Sequence, residues 1–186
     1  MHSLLEKLKK DHGNLEKILA LLTVQLDRFF AGRESNFDLK IELLEYLETY
    51  ADQVHHPLEN LIFDKAINEV GEKRELLERM QSQHKSLILL TRKFRHSLEN
   101  ILQGGVMPRN ELEVQGREYV ALQRQHISLE EQEVFPIIDA ALNEYEWNQV
   151  IASMLSHDDP VFDTPDTIRF QTLVEYLSQS EDLAVD

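Results

Sequence analysis

The feature that most constrains this chain is a three–four apolar rhythm that recurs in four long stretches. Between residues 3 and 30, Leu5, Leu8, His12, Leu15, Leu19, Leu22, Leu26 and Phe29 follow one another at alternating steps of three and four. Side chains at those steps share one stripe of an α-helix, so the stretch needs partner helices to cover it. The stretch 37–68 repeats the pattern with Ile41, Leu44, Leu47, Ala51, Val54, Leu58, Ile62 and Ala66. The stretch 72–103 does so with Leu77, Met80, His84, Leu87, Thr91, Phe94, Leu98 and Ile101. In 109–142 the inner side is marked by Leu112, Tyr119, Leu122, His126, Leu129, Val134, Ile137 and Ala141. Gly32, Gly71 and Gly104-Gly105 stand at the ends of the first three, and Pro108 opens the fourth, as helix stop and start chemistry requires. Pro57 falls inside the second stretch and predicts a kink or break before it. Four amphipathic rods on short links predict an all-α, up-down-up-down four-helix bundle over residues 1–142.

Residues 143–186 read as a C-terminal helical extension. A short helix near 144–156, a turn at Asp158-Asp159-Pro160 and a helix from about 165 to 178 are expected, the last entered through Thr164-Pro165. Phe170, Leu173, Val174 and Leu177 predict packing on the bundle or on a partner. A monomer and a homodimer both fit this pattern.

Composition excludes several function classes. The chain has no cysteine, which removes disulfides, thiolate zinc sites, iron–sulfur clusters and thiol catalysis. A formal net charge of -15 disfavours nucleic acid and anionic membrane surfaces as partners. No apolar run approaches the roughly 20 residues of a membrane span, and Met-His-Ser-Leu-Leu-Glu-Lys lacks the apolar core of a signal peptide. A soluble cytoplasmic protein is expected.

The anomaly is where the histidines fall. His12, His84 and His126 occupy apolar seam positions, and His55 lies beside Val54 and Leu58 on the second rod. A lone histidine on such a face is most often a satisfied core residue; one on each of four helices needs another reason. His55 and Glu59 are four apart, as are His126 and Glu130, so each pair projects one way, a turn apart. The intervals His12–His55 and His84–His126 are 43 and 42 residues, which divides the chain into two similar halves around one centre. Two buried carboxylates facing each other without cations would cost several kcal/mol or take up protons. Divalent ions relieve both problems. Imidazole with carboxylate suits iron, manganese, zinc or cobalt; magnesium and calcium prefer oxygen-only shells. Six donors can crowd one ion, or better serve two ions that share the glutamates and keep positions open for a small ligand.

At these residues the chain resembles the hemerythrin-like, HHE cation-binding family. The segments that carry the resemblance are Lys-Lys-Asp-His12, His55-His56-Pro-Leu-Glu59, Gln-His84 and His126-Ile-Ser-Leu-Glu130-Glu131, with Phe63 and Phe135-Pro136 after the two glutamate motifs. The likeness covers roughly residues 2–142. It implies a bundle holding two iron ions, oxo-bridged, with manganese or zinc as lesser candidates. The implied ligands are His12, His55, Glu59, His84, His126 and Glu130. Oxygen carriers of the family place a second histidine one turn along the third helix; here Met80 and Ile88 stand four from His84, so the site reads as symmetric, with three ligands per iron. That turns the reading away from a dedicated oxygen carrier and closer to the relatives that repair damaged iron centres or sense iron. The first functional reading is a protein that binds dioxygen or nitric oxide for sensing, storage or detoxification. A di-iron redox enzyme, or an iron-centre repair or iron-handling protein, is the alternative, although repair relatives carry a cysteine-bearing segment that is not found here. A closed structural metal module is a third reading.

Several neighbours are ambiguous in sequence. Glu130 restores the four-residue turn from His126, while Glu131 matches the five-residue spacing of the oxygen carriers. His56 is a supporting or alternative ligand, or solvent-exposed. Tyr119 reads as a hydrogen-bond donor near the centre or as core. His157 reads as part of a loop turn, and His2 and His96 as surface residues.

Overall fold

A computed structural model describes residues 1–155 and 158–182 of the chain, so His157 lies outside the described residues. The first rod is α1 (Ser3–Phe30), opened by His2, whose ring accepts the Leu4 N–H. The second rod runs without interruption through α2 (Phe37–Tyr46), a π-helical segment (Leu47–His55) and α3 (His56–Ala66). A 3₁₀ turn at Gly71–Lys73 leads into α4 (Arg74–Leu102), the third rod. The fourth rod joins α5 (Arg109–Leu129), a second π-helical segment (Glu130–Val134) and α6 (Phe135–Ala141). Packing pairs α1 with α2, α2 with α4, α4 with α5 and α5 with α1, which closes the four rods into a square. No helix among the described residues is long and apolar enough to cross a membrane.

The kink or break expected before Pro57 takes the form of a π-helical segment, Leu47–His55, that interrupts the regular α-helix immediately ahead of it. Pro57 and Pro136 each sit in the first turn of the α-helix that follows a π-helical segment. Proline lacks an N–H and its ring crowds the carbonyl one turn back. A π turn bonds i to i+5 and widens the helix, so the rod continues across the proline. Each widened turn also advances the inner register. On the second rod His55 and His56 are both buried. On the fourth, Val134, Phe135 and Ile138 are buried and the expected Ile137 is only half-buried. Leu122 is another departure. It is 43% exposed, and Gln123 takes the inner position.

The tail keeps the expected order of short helix, turn and second helix, but the second helix starts later than its sequence suggests. Helix α7 (Glu144–Ser153) starts on a capping box between Asn143 and Glu146. Helix α8 (Gln171–Asp182) begins beyond Thr164-Pro165 rather than on it. The intervening residues are held as turns instead. Buried Asp159 accepts the N–H groups of Val161 and Phe162 and the Tyr46 hydroxyl, and Asp166 accepts those of Ile168 and Arg169. The free N–H groups of Thr172 and Leu173 at the start of α8 donate to the Glu42 carboxylate on α2. Phe170 and Leu173 are buried in the same apolar cluster as Leu43 and Tyr46, so the extension packs on the second rod of its own bundle.

The core has two apolar clusters. One contains Leu15, Leu22, Tyr50, Phe94 and Tyr119; the other contains Leu5, Leu8, Phe63, Met80 and Phe135. In every rod the polar residues of interest fall between the two. His12 lies between Leu8 and Leu15, His84 between Met80 and Phe94, and His126 with Glu130 between Tyr119 and Val134. The bundle therefore encloses a polar layer capped by apolar packing on both sides.

Candidate metal centre

All six residues singled out in the sequence reach this layer. His12, His55, Glu59, His84, His126 and Glu130 are each no more than 3% exposed. Glu59 Oε1 lies 3.3 Å from His12 Nε2 and 3.2 Å from His55 Nε2, and its Oε2 lies 3.4 Å from His84 Nε2. Glu130 Oε1 lies 3.1 Å from His84 Nε2 and 3.2 Å from His126 Nε2, and its Oε2 lies 3.4 Å from His12 Nε2. The two carboxylates thus stand between the imidazoles of opposite rods.

Each of these four imidazoles is also held from behind. His12 Nδ1 faces Glu131 Oε1 at 3.0 Å and His55 Nδ1 faces Asp11 Oδ2 at 3.4 Å. His84 Nδ1 faces Asn60 Oδ1 at 2.9 Å and His126 Nδ1 faces Gln83 Oε1 at 3.0 Å. An oxygen acceptor at Nδ1 places the proton there and leaves the Nε2 lone pair turned inward. The holders follow a rule. Asp11, Asn60, Gln83 and Glu131 each adjoin one of the six inward residues and reach across to the next rod. A residue one position along a helix projects about 100° round the axis, which turns it toward a neighbouring rod. In the rods that run one way it precedes the inward residue, and in the rods that run the other way it follows. The four contacts therefore circulate once around the square.

Inside that ring His84 Nε2 and Glu130 Oε1 are hydrogen-bonded, but most of the facing atoms find no such partner. His12 Nε2, His55 Nε2, His126 Nε2, both oxygens of Glu59 and Glu130 Oε2 are buried with no hydrogen-bond partner. Buried polar atoms of this kind are uncommon because each forfeits its hydration. The charges respond accordingly. Burial opposes protonation of His12 and His84, but the carboxylates outweigh it, holding His12 well above the imidazole range and pushing His84 up to about 9. His55 is raised in the same way, by Glu59 and Asp11 against its burial. Despite burial, Glu59 is held well below the carboxylate range by His55, His12 and His84; Glu130 is lowered too, His126 and His12 overcoming both burial and Glu59. Without a metal the centre gathers protons. Cations placed among the same atoms replace those protons and give each orphaned lone pair a partner, so the residues present fit bound metal.

Two groups of donors lie close enough to hold an ion, their atoms within 4.8 Å of one another: His12, His55 and Glu59, and His56, Glu59, His84 and His126. His56 is the residue that the sequence reading left open. It is 2% exposed, which removes the solvent-exposed option, and its ring stacks on His84 with centroids 4.4 Å apart. Burial and the neighbouring His84 hold its pKa well below the imidazole range. The signal for it was the pair His55-His56 ahead of Pro57, which marks a π-widened turn with two consecutive inward positions.

The remaining ambiguities separate by position. Glu130 is fully buried in the centre, whereas the Glu131 side chain is 35% exposed and backs His12. Tyr119 packs in the apolar cluster, its hydroxyl meeting Thr91 Oγ1 and accepting from Gln123 Nε2. His96 is exposed. His2 is not a free surface residue, because its ring stacks on Trp147 at 4.0 Å while it caps α1.

The family model for the hemerythrin HHE cation-binding domain matches residues 3–138. The chain belongs to the hemerythrin HHE cation-binding family. The match spans all four rods and stops short of α7 and α8. No curated protein matches the sequence. A hemerythrin-type domain binds cations, and here the buried histidine–glutamate layer is where a cation fits.

Proposed function

We propose that this hemerythrin-family protein holds two iron ions through His12, His55, Glu59, His84, His126 and Glu130, and binds dioxygen or nitric oxide for sensing, storage or detoxification. The observation that carries the reading is the circulating ring of Nδ1 contacts, which turns four Nε2 lone pairs onto two shared carboxylates. Such orientation from behind is the usual support of metal-bound histidine. A bound iron pair supplies reversible redox change and coordination sites for a small ligand. The protein residues hold the ions, keep the imidazoles in one tautomer and exclude bulk water through the apolar clusters above and below.

A small surface pocket stands beside one of these histidines. A cavity of about 90 Å³ lies against His126 and Gln83 and is lined by Leu87, Leu90 and Leu122.

The test is iron content per chain in protein isolated without chelators, with visible spectra in air, after reduction and after nitric oxide addition. Two irons and a charge-transfer band that bleaches on reduction and shifts with nitric oxide are expected. Failure of the metal-free protein to take up iron, manganese or zinc overturns the reading. Steady consumption of peroxide or nitric oxide under a supplied reductant identifies a redox enzyme instead.

A further inference from the structure

We propose that His56 is a further metal-binding residue, so that the two metal positions are chemically unequal rather than symmetric. This rests on the two-metal reading above and concerns the division of donors between the ions.

The spacing of histidines and glutamates gave three ligands to each ion. The packed chain divides them differently. His12, His55 and Glu59 bound one position, and His56, His84, His126 and Glu59 bound the other. The second position therefore has three imidazoles where the first has two. His56 is brought there by the π-helical segment that ends at His55. In an α-helix adjacent residues diverge by about 100°, and the widened turn is what admits both rings to the layer. The His56 ring is stacked on His84 and meets His126 edge-on with centroids 5.5 Å apart, so it lies among the donors of that position. Its Nδ1 stands 3.3 Å from Asp52 Oδ1, and neither Asp52 carboxylate oxygen has a hydrogen-bond partner.

The groups behind the imidazoles divide along the same line. Carboxylates back His12 and His55, through Glu131 and Asp11. Neutral amides back His84 and His126, through Asn60 and Gln83. A carboxylate behind an imidazole raises its basicity more than an amide does. The His12–His55 position thus has fewer nitrogens, both backed by carboxylates, and the His56–His84–His126 position has more, two of them with neutral support while His56 faces the Asp52 carboxylate.

The experiment is Mössbauer spectroscopy of the full chain reconstituted with ⁵⁷Fe. Wild type is expected to give two quadrupole doublets of equal area. His56→Leu, which keeps an apolar ring-sized group beside His84, is expected to move one doublet and leave the other in place. A single doublet in wild type overturns the proposal without need of the variant, which covers the case of a variant that does not fold. A folded variant whose two doublets match wild type, or both of whose doublets move, also overturns it. Wild type that takes up two irons in one environment leaves the two-metal reading standing; wild type that takes up no iron pair removes both.

Discussion

The charge state of the centre makes the metal-free bundle lose stability as pH rises through neutrality, which is unusual for an acidic protein. The perturbation is a change from pH 6.5 to 8 on protein stripped of metal. His84 has a folded-state pKa of about 9 against 6.5 for a free imidazole. A raised histidine stabilises the fold fully below the unfolded value and loses that stability as pH climbs through the folded value. Integrating the linkage from these two values gives a loss of roughly 1.5 kcal/mol between pH 6.5 and 8 from His84 alone. His12 and His55 are raised as well and act in the same direction. The interval is bounded by groups of opposite sign. His56, held low by burial, gains stability as pH rises toward 6.5, and Lys40, lowered to about 8 by burial, does so above that pH. Urea unfolding of the metal-free protein at the two pH values measures the effect, and His84→Gln removes its His84 share. Metal-loaded protein should show the opposite trend, because binding requires neutral imidazoles and releases their protons. Unfolding free energy of the metal-free protein that stays level or rises from pH 6.5 to 8 refutes the reasoning.

Glu130→Gln should lower metal occupancy below two ions per chain, whereas Glu131→Gln should keep the stoichiometry and weaken affinity about 10–100-fold by releasing His12; metal titration of both variants separates the roles, and the reverse ranking assigns the buried carboxylate wrongly. Gly116→Ala should destabilise the bundle by about 1–3 kcal/mol, because its new methyl would meet Leu26 Cδ1 and Phe94 Cζ, each at 2.9 Å; denaturant unfolding reads this, with metal content unchanged. Glu42→Ala should cost about 1 kcal/mol, as for loss of a helix cap, and should speed amide exchange at Thr172 and Leu173, whose N–H groups it accepts.

The four rods, their inward faces and the six buried donors were legible from spacing, because a helix converts steps of three and four into one face wherever its turn stays regular. Legibility stopped where the turn changes width. His56 and Ile138 lie on the inner side only because π turns shift the register, and no periodicity of three and four predicts a shift of that kind. Leu122 yielded its inner place to Gln123 without a π turn ahead of it, and nothing in its sequence position signals that. The start of α8 was misplaced for a different reason. Thr164-Pro165 is good local start chemistry, yet the cap in use is Glu42, 130 residues from Thr172.

By itself, then, the sequence determined which residue types meet and which chemistry they allow: four seam histidines, two glutamates a turn beyond histidines, no thiol, and an acidic surface. Tertiary structure decided how those donors are shared. Only packed rods place Asp11 behind His55, Asn60 behind His84, Gln83 behind His126 and Glu131 behind His12, and so divide carboxylate-backed from amide-backed imidazoles. The physical reason is one of range. Periodicity along a chain is set by local backbone geometry, whereas the partner of a ring nitrogen is set by which neighbouring helix, and which turn of it, packing brings within about 3 Å, the hydrogen-bond distance.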